Sequence, residues 1–327
     1  MLIKRNFTFS ILITILFIVL CVFYYNKQTE KYNIDGFIYK ASHHFKNEEY
    51  FKAIKYYKKL MSMGVVDEKI YINTATALTR MGYYQKSIEV LDDMKENHLE
   101  SSEMYYLLAY SYFAQIKNIN INNSRIPINY LKKSIKLDSR NKDSYKLLGN
   151  IYEKNKQFKL ARQYYTKASE EDIDNSCEFY NFIANTYFKE KNFDDALKYY
   201  NKAIEGNKND ISAYYKIAEI YKEKEDFVTA EDFYKKAIQI SPDYIYPYYQ
   251  IGNLHFNKGD YETAIGWYKE ALNIEPNDGK VNYYIGMAYK RINDLNKAKE
   301  YLKISAYCGN DDALNELSKT EKANNVL

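Results

Sequence analysis

The 327-residue chain is poor in the residues that form tight turns. It contains 11 glycines and 4 prolines, against 28% charged residues. Sandwiches and barrels with many short strands need frequent turns, and Gly and Pro supply a large share of them. This composition therefore argues against a β-rich fold and favours an all-α protein.

The chain also has few residues that bind metals or carry out covalent chemistry. Its 3 cysteines lie far apart and include no C-x-x-C pair, which argues against a disulfide framework or a structural zinc site. Its 4 histidines form no H-E-x-x-H motif, and neither a phosphate-binding glycine loop nor a nucleophile elbow is present. We expect no catalytic site, no cofactor and no metal.

The charge balance gives little attraction to nucleic acids. The chain has 47 Lys and Arg residues and 43 Asp and Glu residues, a formal net charge of +4. Without Lys4 and Arg5 the positive count is 45 against 43 negative residues, so the remaining chain has almost no net field to steer phosphate backbones. We expect no nucleic-acid partner.

One long apolar run lies near the N-terminus. Residues 7–25 carry no charge, and a helix of that length spans about 28 Å, close to the hydrocarbon thickness of a bilayer. A cleaved signal would need small residues before the cleavage site. A lipoprotein signal would need a small residue directly before its cysteine, but Leu20 precedes Cys21. We expect residues 1–33 to form a retained signal anchor with a short linker, and both cleaved forms stay open as alternatives.

The flanking charges decide the orientation of this single-pass anchor. Short charged N-terminal tails translocate poorly, so Lys4 and Arg5 favour a cytoplasmic N-terminus. The rest of the chain would then lie outside the cytoplasm. Lys27, Lys31 and Lys40 follow the span, so the opposite orientation stays open.

Most of the remaining chain is a repeat of about 34 residues. Units start at Ile34, Glu68, Ser102, Lys142, Cys177, Ile211, Ile245 and Gly279. Their starts are 34 or 35 residues apart except for one spacing of 40, which includes an Asn-rich insertion at Lys117–Arg125. The eighth place of every unit is small: Ala41, Ala75, Ala109, Gly149, Ala184, Ala218, Gly252 and Gly286. Small residues at a fixed place indicate that two helices approach closely there.

Each unit has the pattern of a helix, a turn and a second helix. Within each half, apolar residues fall three, four and seven places apart, which is the helical period. Between the halves come turn-prone residues followed by an aromatic, as in Asn192 and Phe193 or Asp226 and Phe227. Such a hairpin cannot bury its apolar face alone, so the units are expected to stack.

These features resemble the tetratricopeptide repeat (TPR) family. The fourth unit matches its pattern at Tyr145, Leu148, Gly149, Tyr152, Ala161, Tyr165 and Ala168. The resemblance implies a right-handed superhelical α-solenoid of about eight units over residues 34–312, preceded by one transmembrane helix. Residues 313–327 are expected to form a polar capping helix and tail, with Leu314 and Leu317 on its inner face.

The resemblance also indicates a ligand groove, because the second, fifth and ninth places of each unit face the concave surface in this family. The candidate groove residues are Tyr106, Lys146, Asn150, Asn185, Tyr215, Tyr249, Asn253 and Tyr283. Tyrosines offer rigid contact area, and Asn amides can bond an extended peptide. A packing role stays open, since Tyr and Asn are common at these places in the family.

The function predicted from these features is binding without catalysis. The first hypothesis is a membrane-anchored scaffold or adaptor that binds protein partners or extended peptides in its groove. The alternative is a cell-envelope assembly or secretion factor that binds wall polymers, pilus components or secreted proteins. Self-association stays open.

Overall fold

The computed structural model describes residues 28, 31, 33–117, 119–172 and 176–324, without the side chains of residues 320–324. The predicted membrane span at residues 7–25 lies outside this part of the chain, so the anchor stays a prediction. The described residues form seventeen helices and no strand, which confirms the all-α prediction. None of those helices combines the length and apolar character needed to cross a bilayer.

The chain divides into two compact units, Met1–Gln157 and Phe158–Leu327. The helices of the first unit are α1 (residues 33–46), α2 (Tyr50–Ser62), α3 (Glu68–Arg80), α4 (Tyr84–Glu96), α5 (Ser102–Ala114), α6 (Arg125–Leu137) and α7 (Lys142–Lys154). Those of the second unit are α8 (Phe158–Glu171), α9 (Ser176–Lys189), α10 (Phe193–Gly206), α11 (Ile211–Glu223), α12 (Phe227–Ile240), α13 (Ile245–Lys258), α14 (Tyr261–Ile274), α15 (Gly279–Arg291), α16 (Leu295–Tyr307) and α17 (Asp311–Asn324).

Consecutive helices pack against each other within each unit. The tightest pairs of the second unit are α9 with α10, α11 with α12, α13 with α14, and α15 with α16. Each pair then packs on the next through α10 and α11, α12 and α13, and α14 and α15. The first unit repeats this scheme from α2 to α7. Both units are therefore stacks of helical hairpins, as expected for an α-solenoid.

The turns inside the hairpins share one backbone conformation. Gly82, Lys191, Glu225, Gly259 and Asn293 have φ between 59° and 84°. The amide of the residue after each of them donates to the carbonyl five residues earlier, which closes the helix end. Only two of these five left-handed positions hold glycine, so a side chain is held in a strained backbone at the other three.

Polar side chains cap the second helices of these hairpins. Asn192, Asp226, Asp260 and Asp294 each accept a hydrogen bond from the backbone amide three residues ahead. These bonds satisfy amides that the first helical turn leaves without a partner. Turn and cap together define where each second helix begins.

The predicted small places are the points of closest helix approach. The side chains of Ala184 and Ala218 are fully buried. A Cβ atom at Gly252 would lie 2.4 Å from Cε1 of Tyr268, and one at Gly286 would lie 2.8 Å from Cγ of Leu302. At both glycines the second helix of the hairpin occupies the space that any larger residue would need.

The C-terminal helix α17 differs from the sequence expectation at one residue. Leu314, predicted to face inward, is 52% exposed, whereas Ala313 is fully buried. The side chain of Asn310 accepts hydrogen bonds from the amides of Asp312 and Ala313. This cap sets the rotation of the helix, and Ala313 and the half-buried Leu317, four residues apart, then share its inner face.

Candidate ligand cleft

Three of the predicted groove residues lie in the first unit. Lys146 and Asn150 are half-buried, and each interacts with other residues. Tyr106 is also half-buried; burial, followed by the nearby charge of Asp143, raises its pKa to about 12. The phenol of Tyr106 therefore stays protonated at neutral pH and can act as a hydrogen-bond donor.

Two predicted groove asparagines support the core of their own hairpins. Oδ1 of Asn185 accepts a hydrogen bond of 2.7 Å from the hydroxyl of Tyr200, and Oδ1 of Asn253 accepts one of 2.7 Å from Tyr268. Both tyrosines are fully buried, so these bonds satisfy hydroxyls that would otherwise be costly to bury. The side chain of Asn253 also hydrogen-bonds Tyr249, so Asn253 holds two tyrosines in place.

Tyr215 and Tyr249, two predicted groove residues, come together in a cleft of the second unit. The cleft has a volume of about 240 Å³. Its lining comes from α11, α13, the end of α14 and the start of α15: Tyr215, Ile245, Tyr246, Tyr249, Gln250, Glu275, Asp278, Lys280 and Val281. We call this site the tyrosine cleft.

The aromatic wall of the tyrosine cleft is held in place by neighbouring rings. The Tyr215 ring lies 5.5 Å from that of Tyr234 and 5.7 Å from that of Tyr244, measured between centroids. Gln250 Nε2 donates to the Tyr215 hydroxyl at 3.2 Å. Burial, followed by the Glu219 carboxylate, raises the pKa of Tyr215. A neutral phenol with a fixed ring therefore forms this wall.

The rim of the tyrosine cleft carries charges of both signs. Lys280 Nζ lies 4.9 Å from the centroid of the Tyr249 ring. Asp278 caps α15 by accepting from the amide of Val281 at 2.8 Å, and Glu275 follows the last residue of α14. In the described part of the chain, neither acid forms an ion pair.

Tyr283, the last predicted groove residue, does not line the tyrosine cleft. Its ring lies 5.4 Å from the Tyr284 ring. Burial, followed by the charges of Asp312 and Glu316, raises its pKa, so it faces the C-terminal helix α17. The repeat register assigned this place correctly to the first helix, and the structure brings it close to two acids of α17.

Sequence reasoning missed seven residues that line the cleft. Two are apolar, and the five with a polar group are Tyr246, Gln250, Glu275, Asp278 and Lys280. Two of them carried a usable signal, because Tyr246 and Lys280 occupy the second place of their units. Glu275 and Asp278 flank the connection between α14 and α15, where an acid is most simply interpreted as a helix cap.

A larger depression of about 770 Å³ lies elsewhere in the second unit, among α8, α9 and α10. Arg162 lines this depression. It donates to the carboxylate of Glu190 and to the hydroxyl of Thr186, and its guanidinium lies 4.1 Å from the Tyr187 ring centroid. These contacts engage Arg162 within the fold. The tyrosine cleft is therefore the stronger candidate site.

Family models confirm the repeats. Models described as tetratricopeptide repeat match residues 143–173, 175–243 and 233–266, and one described as TPR repeat matches residues 252–293. This chain therefore contains tetratricopeptide repeats, and the tyrosine cleft lies among them. None of the curated proteins compared with the chain matches it.

Solved structures match parts of this chain. Two crystal structures of MamA match with a TM-score of 0.45 each, at 23% and 22% identity, and cover 51% and 54% of this chain and 96% and 95% of theirs. The APC/C hetero-tetramer Cut9–Hcn1 matches with a TM-score of 0.51 at 16% identity, covering 83% of this chain and 52% of the other. The last likeness supports an α-solenoid fold; this chain spans about half the length of that relative.

Proposed function

We propose that this protein is a membrane-anchored scaffold that binds protein partners and has no catalysis of its own. Partners would bind on the first-helix face, which is the surface formed by the first helix of each repeat, such as α11, α13 and α15. The observation that carries the proposal is the tyrosine cleft, where Tyr215, Tyr246 and Tyr249 come from two different repeats. Ring contacts and a hydrogen bond fix its aromatic wall, so the wall loses little conformational entropy when a partner binds.

The membrane part of the proposal comes from the uncharged run at residues 7–25. A helix there would hold the repeats at a membrane, with the N-terminus in the cytoplasm and the repeats on the other side. The full chain should then stay in the membrane fraction after an alkaline carbonate wash. Recovery of the full chain in the soluble fraction would refute the anchor.

Orientation needs a separate experiment. A tag at the C-terminus of the full chain should be digested by protease added to intact cells, with disrupted cells as the control. Protection in intact cells and digestion after disruption would place the repeats in the cytoplasm instead.

Site-specific crosslinking tests the scaffold function. A photo-crosslinking residue at Tyr246, which is 57% exposed in the tyrosine cleft, should form adducts with other proteins in cells. The same residue at Tyr307, 95% exposed at the end of α16, serves as the matched control and should give few. Equal capture at both positions would contradict a specific partner site.

The crosslinked products also test the alternative, an envelope factor that binds wall polymers. Tyrosine rings can stack on sugars as well as contact peptides. Adducts that protease removes support protein partners, whereas adducts that only glycosidases remove would favour the polymer. Either result identifies the class of ligand that reaches the tyrosine cleft.

A further inference from the structure

The tyrosine cleft combines aromatic faces with acidic groups. The face of an aromatic ring carries negative potential and attracts a cation within about 6 Å of its centroid. Three tyrosines and the carboxylates of Glu275 and Asp278 line this small space. Since no described residue forms an ion pair with either acid, their charge is available to a ligand.

A side chain of the protein already shows what one of these rings attracts. Lys280 Nζ lies 4.9 Å from the centroid of the Tyr249 ring. No described residue forms an ion pair with Lys280, so an acidic partner does not hold its ammonium there. Lys280 is exposed, and its flexible stem can turn into solvent when another cation arrives.

The size of the cleft limits the occupant. Sites for drug-sized ligands span about 300–1,000 Å³, whereas the tyrosine cleft measures about 240 Å³. It therefore has room for one long side chain and not for a folded domain or a large cofactor. A peptide would insert one residue and lie along the first-helix face with the rest of its length.

We propose that the tyrosine cleft binds the side chain of an arginine in an extended peptide segment of the partner. The guanidinium takes the face of Tyr249 that Lys280 covers and lies beside the exposed ring of Tyr246. Glu275 or Asp278 accepts its hydrogen bonds. Arginine suits such a site because its planar group stacks on aromatic rings and pairs with carboxylates through two bonds. The inference rests on the proposed function, to which it adds the chemistry of the partner.

Peptide binding to the full chain in detergent micelles tests the proposal. The probes are fluorescent peptides of Gly and Ser with one central residue, which is Arg, Lys, citrulline or Glu. Citrulline keeps the shape of arginine without its charge. We expect the arginine peptide to bind most tightly, the citrulline peptide at least about fivefold more weakly, and the glutamate peptide weakest of all.

Three variants give the sharpest readout. Lys280→Gln removes the competing cation, so binding of the arginine peptide should strengthen severalfold. Tyr246→Leu changes an exposed cleft residue and should weaken it about fivefold, while Tyr307→Leu, outside the cleft, should leave it unchanged. Circular dichroism checks that each variant folds.

Three results would overturn the proposal: equal affinity for the arginine and citrulline peptides, no binding of any peptide, or weaker binding in Lys280→Gln together with preference for the glutamate peptide. The last would make Lys280 a contact for an acidic ligand. Partner crosslinks at Tyr246 that persist in such a case would keep the scaffold function and remove only the arginine site.

Discussion

Replacing Gly252 with alanine should test whether α13 and α14 are packed as closely as the structure has them. The new Cβ atom would lie 2.4 Å and 2.5 Å from Cε1 and Cδ1 of Tyr268, whereas carbon atoms in contact are normally about 3.5–4.0 Å apart. The ring would have to move by about 1 Å. It has little room, because Tyr268 is fully buried and its hydroxyl is bonded to Asn253.

Two effects of opposite sign contribute to the expected result for Gly252→Ala. Alanine favours a helix over glycine by about 1 kcal/mol, and overpacking a core costs about 1–3 kcal/mol, occasionally more. The overlap is deep and the ring confined, so we take about 3 kcal/mol for the strain. The net expectation is a loss of about 2 kcal/mol in the free energy of unfolding.

Gly266 provides the matched control for this substitution. It lies inside α14, and a Cβ atom there would have no heavy atom within 4 Å. Gly266→Ala should therefore stabilise the protein by about 1 kcal/mol through helix propensity alone. Urea denaturation followed by circular dichroism compares the two variants. If Gly252→Ala is as stable as Gly266→Ala, the close approach of the two helices is wrong.

Three further predictions concern the turns, the caps and the buried tyrosines. Glu225→Gly should raise the free energy of unfolding by about 0.5 kcal/mol, as measured by urea denaturation, because glycine relieves the strain of the left-handed backbone at φ 62°. A loss of stability would refute this. Side-chain and then backbone hydrogen bonds lower the pKa of Asp226 and Asp294 below 3.8, so their stabilisation is present above that pH and is lost as the pH falls below about 4. Asp226→Asn combined with Asp294→Asn should therefore be less stable than the parent at pH 7, where both carboxylates are charged, and should lose less stability between pH 5 and 3; an unchanged pH slope would count against this. Asn185→Ala removes the carboxamide oxygen that accepts from the buried hydroxyl of Tyr200 and should cost about 1–3 kcal/mol in the same urea assay, whereas a neutral effect would show that the bond is unimportant.

Much of the fold could be predicted because its signals are local. Places such as Ala184 and Ala218 are small for one reason, the close approach of two helices, and that reason recurs in every repeat. The helical period and turn residues such as Asn192 act within a few residues of sequence. Simple counting along the chain was therefore enough to predict stacked helical hairpins.

The candidate site was predictable only in part. The repeat register assigned Tyr215 and Tyr249 to the first-helix face, and they do line one cleft. It could not show that the oxygen of Asn253 is used by Tyr268, since that bond depends on how two helices are rotated against each other. It also could not show that Tyr283 faces α17.

The sequence alone therefore determined the helices, their hairpin order and the small places between them, because these follow from spacing along one chain. Tertiary structure decided which side chains share a space. Lys280 lies over the Tyr249 ring because α13 and α15 come together there, and Ala313 displaces Leu314 from the inner face of α17 because the cap at Asn310 sets that helix's rotation. Contacts of this kind join residues far apart in sequence or depend on a helix rotation of a few tens of degrees, and neither leaves a periodic pattern.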